Sequence, residues 1–325
     1  MNKVILSVIL TFFSSFVWAN EDPQFFGYWH QSPVGVKATL DHTNVVFIQA
    51  ANPEQPLNEI AALHPTAKIL FQFSALDLVF RGGNCNWNKC MEFNSDRVKE
   101  ILDSVEQHVI TPYQSRLVAF LIADEPETNP LTLDALQQLV NAIRLRPAFD
   151  PIPIWVNYNN VLPTYTKAEF FLTPGVDWIS MTPSYGTEWN DLSPDFRYDF
   201  LLQRASQQNP KPKLVIVGDA WSELEGDSNF NGSLTKTGKI HLDKIEKQCD
   251  YISERADFYG ISVVGVVPFS WSFPGSYTLG TSHESIKNKW RELAIRILGN
   301  TNSVPVEPIP PQVLTPTPAV PKCIP

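Results

Sequence analysis

The chain has 325 residues, of which 43% are hydrophobic and 18% charged, and its formal net charge is −9 at pH 7. This acidic balance, together with the absence of a basic run, argues against nucleic acid as a partner and fits neutral or weakly charged substrates better. The length suits either one α/β barrel or two smaller domains, and a single barrel is the simpler interpretation.

The N-terminus has the pattern of an export signal. Lys3 precedes an apolar stretch from Val4 to Val17, and Ala19 is followed by polar residues. The pattern predicts a signal peptide over residues 1–19 and a secreted or periplasmic protein. The apolar stretch is shorter than the roughly 20 residues of a membrane span, so no membrane span is expected in the mature chain. A retained N-terminal anchor is the alternative.

Eight short apolar or aromatic runs follow, most of them succeeded by a stretch with helical periodicity or charge. Strands buried on both faces are near-continuously apolar and rich in Val, Ile and Phe, as these runs are. We therefore predict a (β/α)8 TIM barrel over residues 20–300. Its predicted strands are Phe25–His30, Asn44–Gln49, Lys68–Phe73, Leu117–Asp124, Ile152–Tyr158, Asp177–Met181, Lys213–Asp219 and Ser262–Phe269.

The helices between these strands differ in how clearly the sequence marks them. The segment after the first strand, Gln31–His42, contains Pro33 and Gly35, so a helix of one turn or none is expected there. The clearest helices are predicted at Asp96–Val109, Leu131–Arg144, Pro194–Gln207, Leu242–Tyr259 and His283–Leu298.

The C-terminal segment differs in composition from the rest. A proline-rich run from Ser303 to Pro321 favours extended polyproline conformations and cannot bury a core. Residues 301–325 are therefore predicted to form a tail or linker.

Four cysteines suit an oxidising compartment. Cys85 and Cys90 are expected to close a small disulfide loop rather than to bind zinc, because no histidine lies near this pair. Pairing of Cys249 with Cys323 is a further option that the sequence leaves open.

The fourth predicted strand ends in Asp124, Glu125 and Pro126. Active sites of parallel barrels lie at the carboxyl ends of the strands, so Asp124 and Glu125 are the first catalytic candidates. Period-two alternation places Glu125 on the interior row of Ala119, Leu121 and Ala123, and Pro126 is expected to hold Glu125 in extended backbone. A partly apolar setting would suit Glu125 as a general acid. The structural alternative is a salt bridge at the rim.

Asp219 is the leading candidate for a second carboxylate. It follows Val215 and Val217 on one face of the seventh strand, roughly across the barrel from the fourth. Its role would be nucleophile or base, and its structural alternative is a helix cap. Glu223 and Glu225 take its place if the strand ends later.

Aromatic and amide residues recur at the predicted strand ends. Aromatic faces stack on the C–H surfaces of sugars, and amides bind hydroxyl groups. Each residue alone is ordinary, but their recurrence at one rim predicts a carbohydrate site. The predicted substrate contacts are Trp29, Gln72, Asn157, Tyr158, Tyr185, Trp221 and Trp271.

Neither a metal nor a cofactor is expected. Asp227–Gly232 matches the start of a calcium loop, but Gly238 stands at the twelfth position where a bidentate Glu is required, so a polar turn is the better interpretation. The histidines lack the paired spacing of zinc sites, and no glycine-rich phosphate loop follows a strand.

Two segments carry a family resemblance: Ala123-Asp-Glu-Pro126 on strand four and Val267-Pro-Phe-Ser-Trp-Ser272 on strand eight. Together they resemble (β/α)8-barrel glycoside hydrolases over about residues 24–298, most of all the large retaining clan whose strand four ends in Asn-Glu. The resemblance implies that Glu125 is the acid/base and that the Trp271–Ser272 peptide is cis. Asp124 stands in place of the clan's Asn, and Asp219 in place of its strand-seven Glu nucleophile.

The adjacent Asp-Glu pair is also similar to families acting on N-acetylhexosamines, where the Asp orients the 2-acetamido group as internal nucleophile and the Glu is the acid. The expected function is hydrolysis of O-glycosidic bonds in a glycan by a monomer, with Glu125 as general acid, Asp219 as second carboxylate and Asp124 as positioning residue. The alternatives are a substrate-assisted N-acetylhexosaminidase-type enzyme and a non-catalytic glycan-binding barrel.

Overall fold

The computed structural model describes residues 24–29, 33–50, 64–73, 93–126, 133–158, 172–181, 195–218, 236–268 and 284–299. The strands are β1 (Phe25–Phe26), β2 (Val45–Ala50), β3 (Lys68–Phe73), β4 (Leu117–Asp124), β5 (Ile154–Tyr158), β6 (Trp178–Met181), β7 (Lys213–Ile216) and β8 (Val263–Val266). The helices are α1 (Pro33–Thr39), α2 (Ser95–Val105), α3 (Leu133–Arg144), α4 (Asp195–Ser206), α5 (Lys236–Phe258) and α6 (Glu284–Leu298). A π-helical turn at Glu106–Ile110 and a last helical turn at Thr111–Tyr113 extend α2.

The strands form one sheet in the order β1-β8-β7-β6-β5-β4-β3-β2, and each recorded pairing is parallel. Bonds from Asn44 join β1 to β2: its backbone N–H donates to the Phe26 carbonyl, and its side chain donates to the Gln24 carbonyl. The predicted (β/α)8 barrel is thus confirmed.

The core has two layers, one inside the barrel and one between the sheet and the helices. Inside, Phe25 stacks on Trp178 with ring centroids 5.4 Å apart, and Trp29 stacks on Phe47 at 4.7 Å. Stacked aromatic pairs of this kind contribute about 0.5–1.5 kcal/mol each beyond the area that they bury. The aromatic residues therefore fill the barrel as a solid core.

The predicted strand limits agree with the observed ones to different degrees. β3 and β4 match their predicted limits, whereas β1, β7 and β8 are shorter than predicted. The expectation of one helical turn or none after β1 is wrong, because α1 has seven residues. Pro33 is the first residue of α1, where the missing N–H is not needed and the fixed φ suits a helix.

Several sequence predictions fall outside the described residues: the signal peptide, the C-terminal tail, the Cys85–Cys90 loop and the cis peptide at Trp271. Cys249 is described and lies buried in the layer between the sheet and the helices. None of the described helices is both long enough and apolar enough to cross a bilayer.

Candidate functional site

A β-bulge in β4 determines which carboxylate enters the barrel. The β4–β5 register steps from Leu121 opposite Trp155 directly to Ala123 opposite Val156, so Ile122 is an extra residue. Ile122 and Ala123 both pack in the outer layer, whereas Leu121 packs inside. An inserted residue reverses the alternation beyond it and re-aims the following side chain.

The consequence of the bulge is that Asp124, rather than Glu125, continues the interior row of Ala119 and Leu121. The Asp124 Oδ1 accepts a hydrogen bond from Asn157 Nδ2 at 2.8 Å. The predicted interior row of Ala119, Leu121, Ala123 and Glu125 therefore breaks at Ala123, which packs in the outer layer. The single extra residue is the physical reason.

Asp124 is the end of a hydrogen-bond chain that crosses β4, β5 and β6. Trp155 Nε1 donates to Ser180 Oγ at 2.8 Å, Ser180 Oγ donates to Asn157 Oδ1 at 2.6 Å, and Asn157 donates to Asp124. The register places Asp124 beside Asn157 and Asn157 beside Ser180. Asn157 is 2% exposed, and its amide orients Asp124.

Glu125 lies at the rim directly after β4, half-buried, with Pro126 buried beside it. Its φ of +49° is left-handed, so the expectation of extended backbone before Pro126 is wrong. Its N–H donates to the Asn157 carbonyl at 2.7 Å, which fixes this turn. Non-glycine residues in left-handed backbone cost roughly 1–3 kcal/mol and cluster at functional sites, where the surrounding structure enforces them.

Gln72 lies near the carboxyl end of β3. Leu70 packs inside the barrel, and the intervening Phe71 and the following Phe73 pack in the outer layer, so alternation places Gln72 on the interior face. Gln72 is 7% exposed, and its Oε1 has no hydrogen-bond partner within the described part of the chain. A buried acceptor of this kind suits a hydroxyl donor from a ligand.

Two predicted aromatic contacts are part of the core. Trp29 is 1% exposed and packs inside the barrel between Phe47 and Trp155, so it is not an exposed platform for a sugar. Tyr158 is 2% exposed and packs in the outer layer, where its hydroxyl accepts the Thr173 N–H. Both side chains are therefore core positions in the described structure, and on β5 the adjacent Asn157 takes the interior position.

The other predicted site residues, Asp219, Tyr185, Trp221 and Trp271, lie outside the described residues. On β7 and just after it, Val215 and Val217 do pack inside the barrel, as predicted.

Gly218, the residue before Asp219, lies against Trp290. A β-carbon added at Gly218 would lie 2.3 Å from Cη2 of Trp290. Glycine at position 218 therefore allows α6 to pack directly against the end of β7.

Sequence reasoning missed Ser180 and Trp155 as members of the site. Both are buried and look like ordinary core positions in the sequence. The signal that identifies them is pairwise: Ser180 lies beside Asn157, and Asn157 beside Asp124, only once the β4–β5–β6 register is known.

A second buried polar network lies near the start of the barrel. Tyr28 Oη lies 3.0 Å from His42 Nε2, His42 Nδ1 lies 2.7 Å from Asp41 Oδ1, and Asp41 forms an ion pair with Arg291 of α6. Burial lowers the pKa of His42 to about 4. Burial also raises the pKa of Tyr28 well above its usual range, with Arg291 opposing the shift. His42 is therefore neutral at pH 7, and with its Nδ1–H donating to Asp41, its Nε2 accepts a hydrogen bond from the Tyr28 hydroxyl.

Within the described ranges, no group of three His, Cys, Asp or Glu side chains has a geometry that could hold a metal ion. The chemistry available at the described rim is that of carboxylates, amides and hydroxyls. Asp124 and Glu125 provide anionic or protonated oxygens, and Gln72 provides a buried acceptor. Such groups can bind hydroxyl-rich ligands and transfer protons.

Solved structures with the same fold include several carbohydrate-active barrels. A GH10 xylanase from Thermobacillus composti superposes with a TM-score of 0.51 at 11% identity, over 83% of this chain and 97% of that chain. A GH10 structure from Paenibacillus barcinonensis gives 0.52 at 9% identity, over 88% and 97%. Xylanase XynB from the same organism, complexed with a conduramine derivative, gives 0.51 at 13% identity, over 82% and 94%.

No protein-family model matches the sequence, and no curated protein matches it significantly. At 9–13% identity, the structural similarity establishes the (β/α)8 barrel fold that the chain shares with these proteins.

Proposed function

We propose that this chain is a glycoside hydrolase that cleaves O-glycosidic bonds of a glycan or polysaccharide, with Glu125 as general acid/base. The observation that carries the proposal is the end of β4, where a bulge turns Asp124 into the barrel and Glu125 follows in left-handed backbone. Active sites of barrel enzymes lie at this rim, and enforced backbone strain is typical of functional positions. The fold shared with xylanase structures supports the same class of substrate.

Glycoside hydrolysis needs an acid that protonates the leaving oxygen and a second group that stabilises the oxocarbenium-like centre. Glu125 is the proposed acid. Asp124, held by Asn157, is the proposed positioning carboxylate. Asp219, directly after Gly218 in the chain, is the proposed second carboxylate.

A sugar presents several hydroxyl donors and needs acceptors in the site. Gln72 Oε1 is a buried acceptor on the interior face of β3, in register with Leu121 of β4. We assign it to a hydroxyl of the sugar nearest to Asp124. The remaining proposed contacts are Tyr185, Trp221 and Trp271.

The second candidate is a substrate-assisted enzyme that acts on N-acetylhexosamines. The placement of Asp124 inside the barrel next to Glu125 favours it, because an inward Asp can orient a 2-acetamido group while the Glu acts as acid. This mechanism does not need Asp219. Full activity of an Asp219→Asn variant, together with turnover only of 2-acetamido sugars, would select it over the two-carboxylate mechanism.

The proposed cellular setting is outside the cytoplasm, as a monomer with a Cys85–Cys90 disulfide. The N-terminal pattern of Lys3, an apolar stretch and Ala19 supports export. Mass spectrometry of the mature protein tests this directly. We expect an N-terminus at Asn20 and two tryptic peptides joined by the disulfide, because Lys89 lies between the two cysteines.

The test of the activity is turnover on a panel of glycans and activated glycosides by wild type and by Glu125→Gln. The variant should lose about 10²–10⁴-fold in kcat/KM because a positioned acid contributes on this scale. Glu127→Gln is the matched control, with the same chemical change two residues away, and should keep its activity. Circular dichroism checks that both variants fold.

Full activity of the folded Glu125→Gln variant would show that the assignment is wrong. Calorimetric binding of sugars by wild type, with no product formed from any member of the panel, would instead identify a non-catalytic glycan-binding barrel.

A further inference from the structure

We propose that Trp155 and Ser180 are positioning residues that hold Asp124 as an ionised carboxylate through a hydrogen-bond chain with one fixed direction. The chain runs from Trp155 to Ser180, then to Asn157 and finally to Asp124, with distances of 2.8, 2.6 and 2.8 Å. The catalytic consequence rests on the proposed glycoside hydrolase activity, whereas the ionisation of Asp124 does not.

The direction of the chain follows from the chemistry of its first member. An indole N–H can only donate a hydrogen bond, so Ser180 Oγ must accept from Trp155. The Ser180 hydroxyl proton then points along the 2.6 Å contact to Asn157. The group on Asn157 that accepts this hydrogen bond is the carbonyl oxygen Oδ1.

Fixing one side of the Asn157 amide fixes the other. With Oδ1 turned to Ser180, the NH2 group faces Asp124 and donates to its Oδ1. A rotated amide would place its oxygen against the carboxylate, and such a contact is favourable only when Asp124 is protonated. The orientation set by Ser180 thus favours the charged form of Asp124, since a donated hydrogen bond stabilises a carboxylate.

Burial makes this control effective. Trp155 and Ser180 are 0% exposed and Asn157 is 2% exposed, so bulk water does not compete for these bonds. Trp155 is itself held by Trp29 and Phe47, with ring centroids 5.4 and 6.1 Å away. The starting donor therefore has a fixed position against the barrel core.

The test is a pH titration of the Asp124 carboxyl carbon by NMR in protein labelled with 13C at aspartate, with Asp124→Asn assigning the signal. In Ser180→Ala, the titration midpoint of Asp124 should move to higher pH by roughly half to one unit. Ser180→Thr, which keeps the hydroxyl, should restore the wild-type midpoint. Trp155→Phe removes the first donor and should shift the midpoint in the same direction by less.

Thr173→Val is the matched control, because it removes another fully buried hydroxyl that lies outside the chain. It should leave the Asp124 midpoint unchanged. A wild-type midpoint in folded Ser180→Ala overturns the proposal. If Ser180→Ala does not fold, a wild-type midpoint in Trp155→Phe overturns it equally.

Activity provides an independent readout. If the proposed function holds, the acidic limb of the kcat/KM profile should move upward in Ser180→Ala by the same amount as the NMR midpoint. A shifted midpoint in a protein that cleaves no glycan sustains the hydrogen-bond chain and removes the hydrolase. If the Asp124 midpoint is unshifted in Ser180→Ala while Glu125→Gln abolishes glycan cleavage, the hydrolase is sustained and the role of the hydrogen-bond chain is removed.

Discussion

The Oδ1 of Asn44 accepts a hydrogen bond from the Phe26 backbone N–H at 2.9 Å, while the Asn44 N–H donates to the Phe26 carbonyl at 3.1 Å. These bonds lie where β1 and β2, at the two ends of the strand order, come together. β1 has only two residues, so the side chain of Asn44 supplies an acceptor that strand pairing would otherwise provide.

Replacing Asn44 by Ala should therefore lower the free energy of unfolding by about 1–3 kcal/mol, the cost of leaving a buried N–H without its acceptor. Urea denaturation measures the change. The matched control is Asn141→Ala on the exposed surface of α3, which should change stability by less than about 0.5 kcal/mol. Equal effects of the two substitutions would contradict the role of Asn44 in closing the barrel.

Gly218 and Trp290 form a tight contact between the end of β7 and α6. Gly218→Ala places a β-carbon 2.3 Å from the indole, so we expect a loss of about 1–3 kcal/mol in unfolding free energy. A double-mutant cycle with Trp290→Phe tests the cause, because the smaller ring makes room and should reduce the cost of the alanine. Additive effects would show that the destabilisation does not come from this contact.

Acid should destabilise the fold through His42. Its pKa is about 4 in the folded chain and 6.5 in the unfolded chain, so the unfolded state takes up the proton first. The contribution of neutral His42 to the free energy of unfolding is fully present above pH 6.5. It declines as the pH falls to about 4, by on the order of 3 kcal/mol. The charged or titratable groups joined to His42 are Asp41, Tyr28 and, through Asp41, Arg291.

The measurement is the unfolding free energy of wild type and His42→Gln in urea at several pH values. The glutamine does not titrate and can still bond to Tyr28 and Asp41, so the variant should lose less stability between pH 6.5 and 4. Parallel pH profiles for the two proteins would rule out His42 as the source.

Replacing Gln72 should weaken sugar binding without lowering the stability of the fold. Gln72→Met keeps the length of the side chain but removes the buried acceptor that has no partner in the described structure. We expect an unfolding free energy equal to or up to about 2 kcal/mol above wild type, because an unsatisfied polar group is costly. Sugar affinity should fall, by roughly tenfold or more for one hydrogen bond.

Leu70→Met is the control for Gln72→Met, because Leu70 lies two residues earlier on the same interior face of β3. It should leave sugar affinity unchanged. If calorimetry shows the same affinity for Gln72→Met and wild type, Gln72 does not contact the ligand.

The left-handed backbone of Glu125 separates its role in stability from its role in activity. Glycine adopts a φ of +49° without the steric cost of a β-carbon, so Glu125→Gly should be more stable than Glu125→Ala by about 1 kcal/mol. Both variants should be inactive. Thermal denaturation compares them, and an alanine variant at least as stable as the glycine variant would show that the strain is absent.

The sequence already contained the information for the barrel and for the position of Asp124 and Glu125, the candidate site residues, at the end of β4. β3 and β4 are long apolar runs that end in polar groups, and the strand limits predicted from them agree with the structure. A strand that is buried on both faces needs such a run, so the strand can be recognised from the sequence alone. The placement of Asp124 and Glu125 at the carboxyl end of β4 follows directly from the position of the run.

Only the tertiary structure determined which side chains face the interior of the barrel. The bulge at Ile122 is visible only in the pairing of β4 with β5, because a single unpaired residue leaves no mark in the apolar pattern of β4. It places Asp124 on the interior face and aligns it with Asn157 and Ser180. Local sequence determines that a strand forms, but the face that a side chain occupies depends on pairing with neighbours remote in the chain.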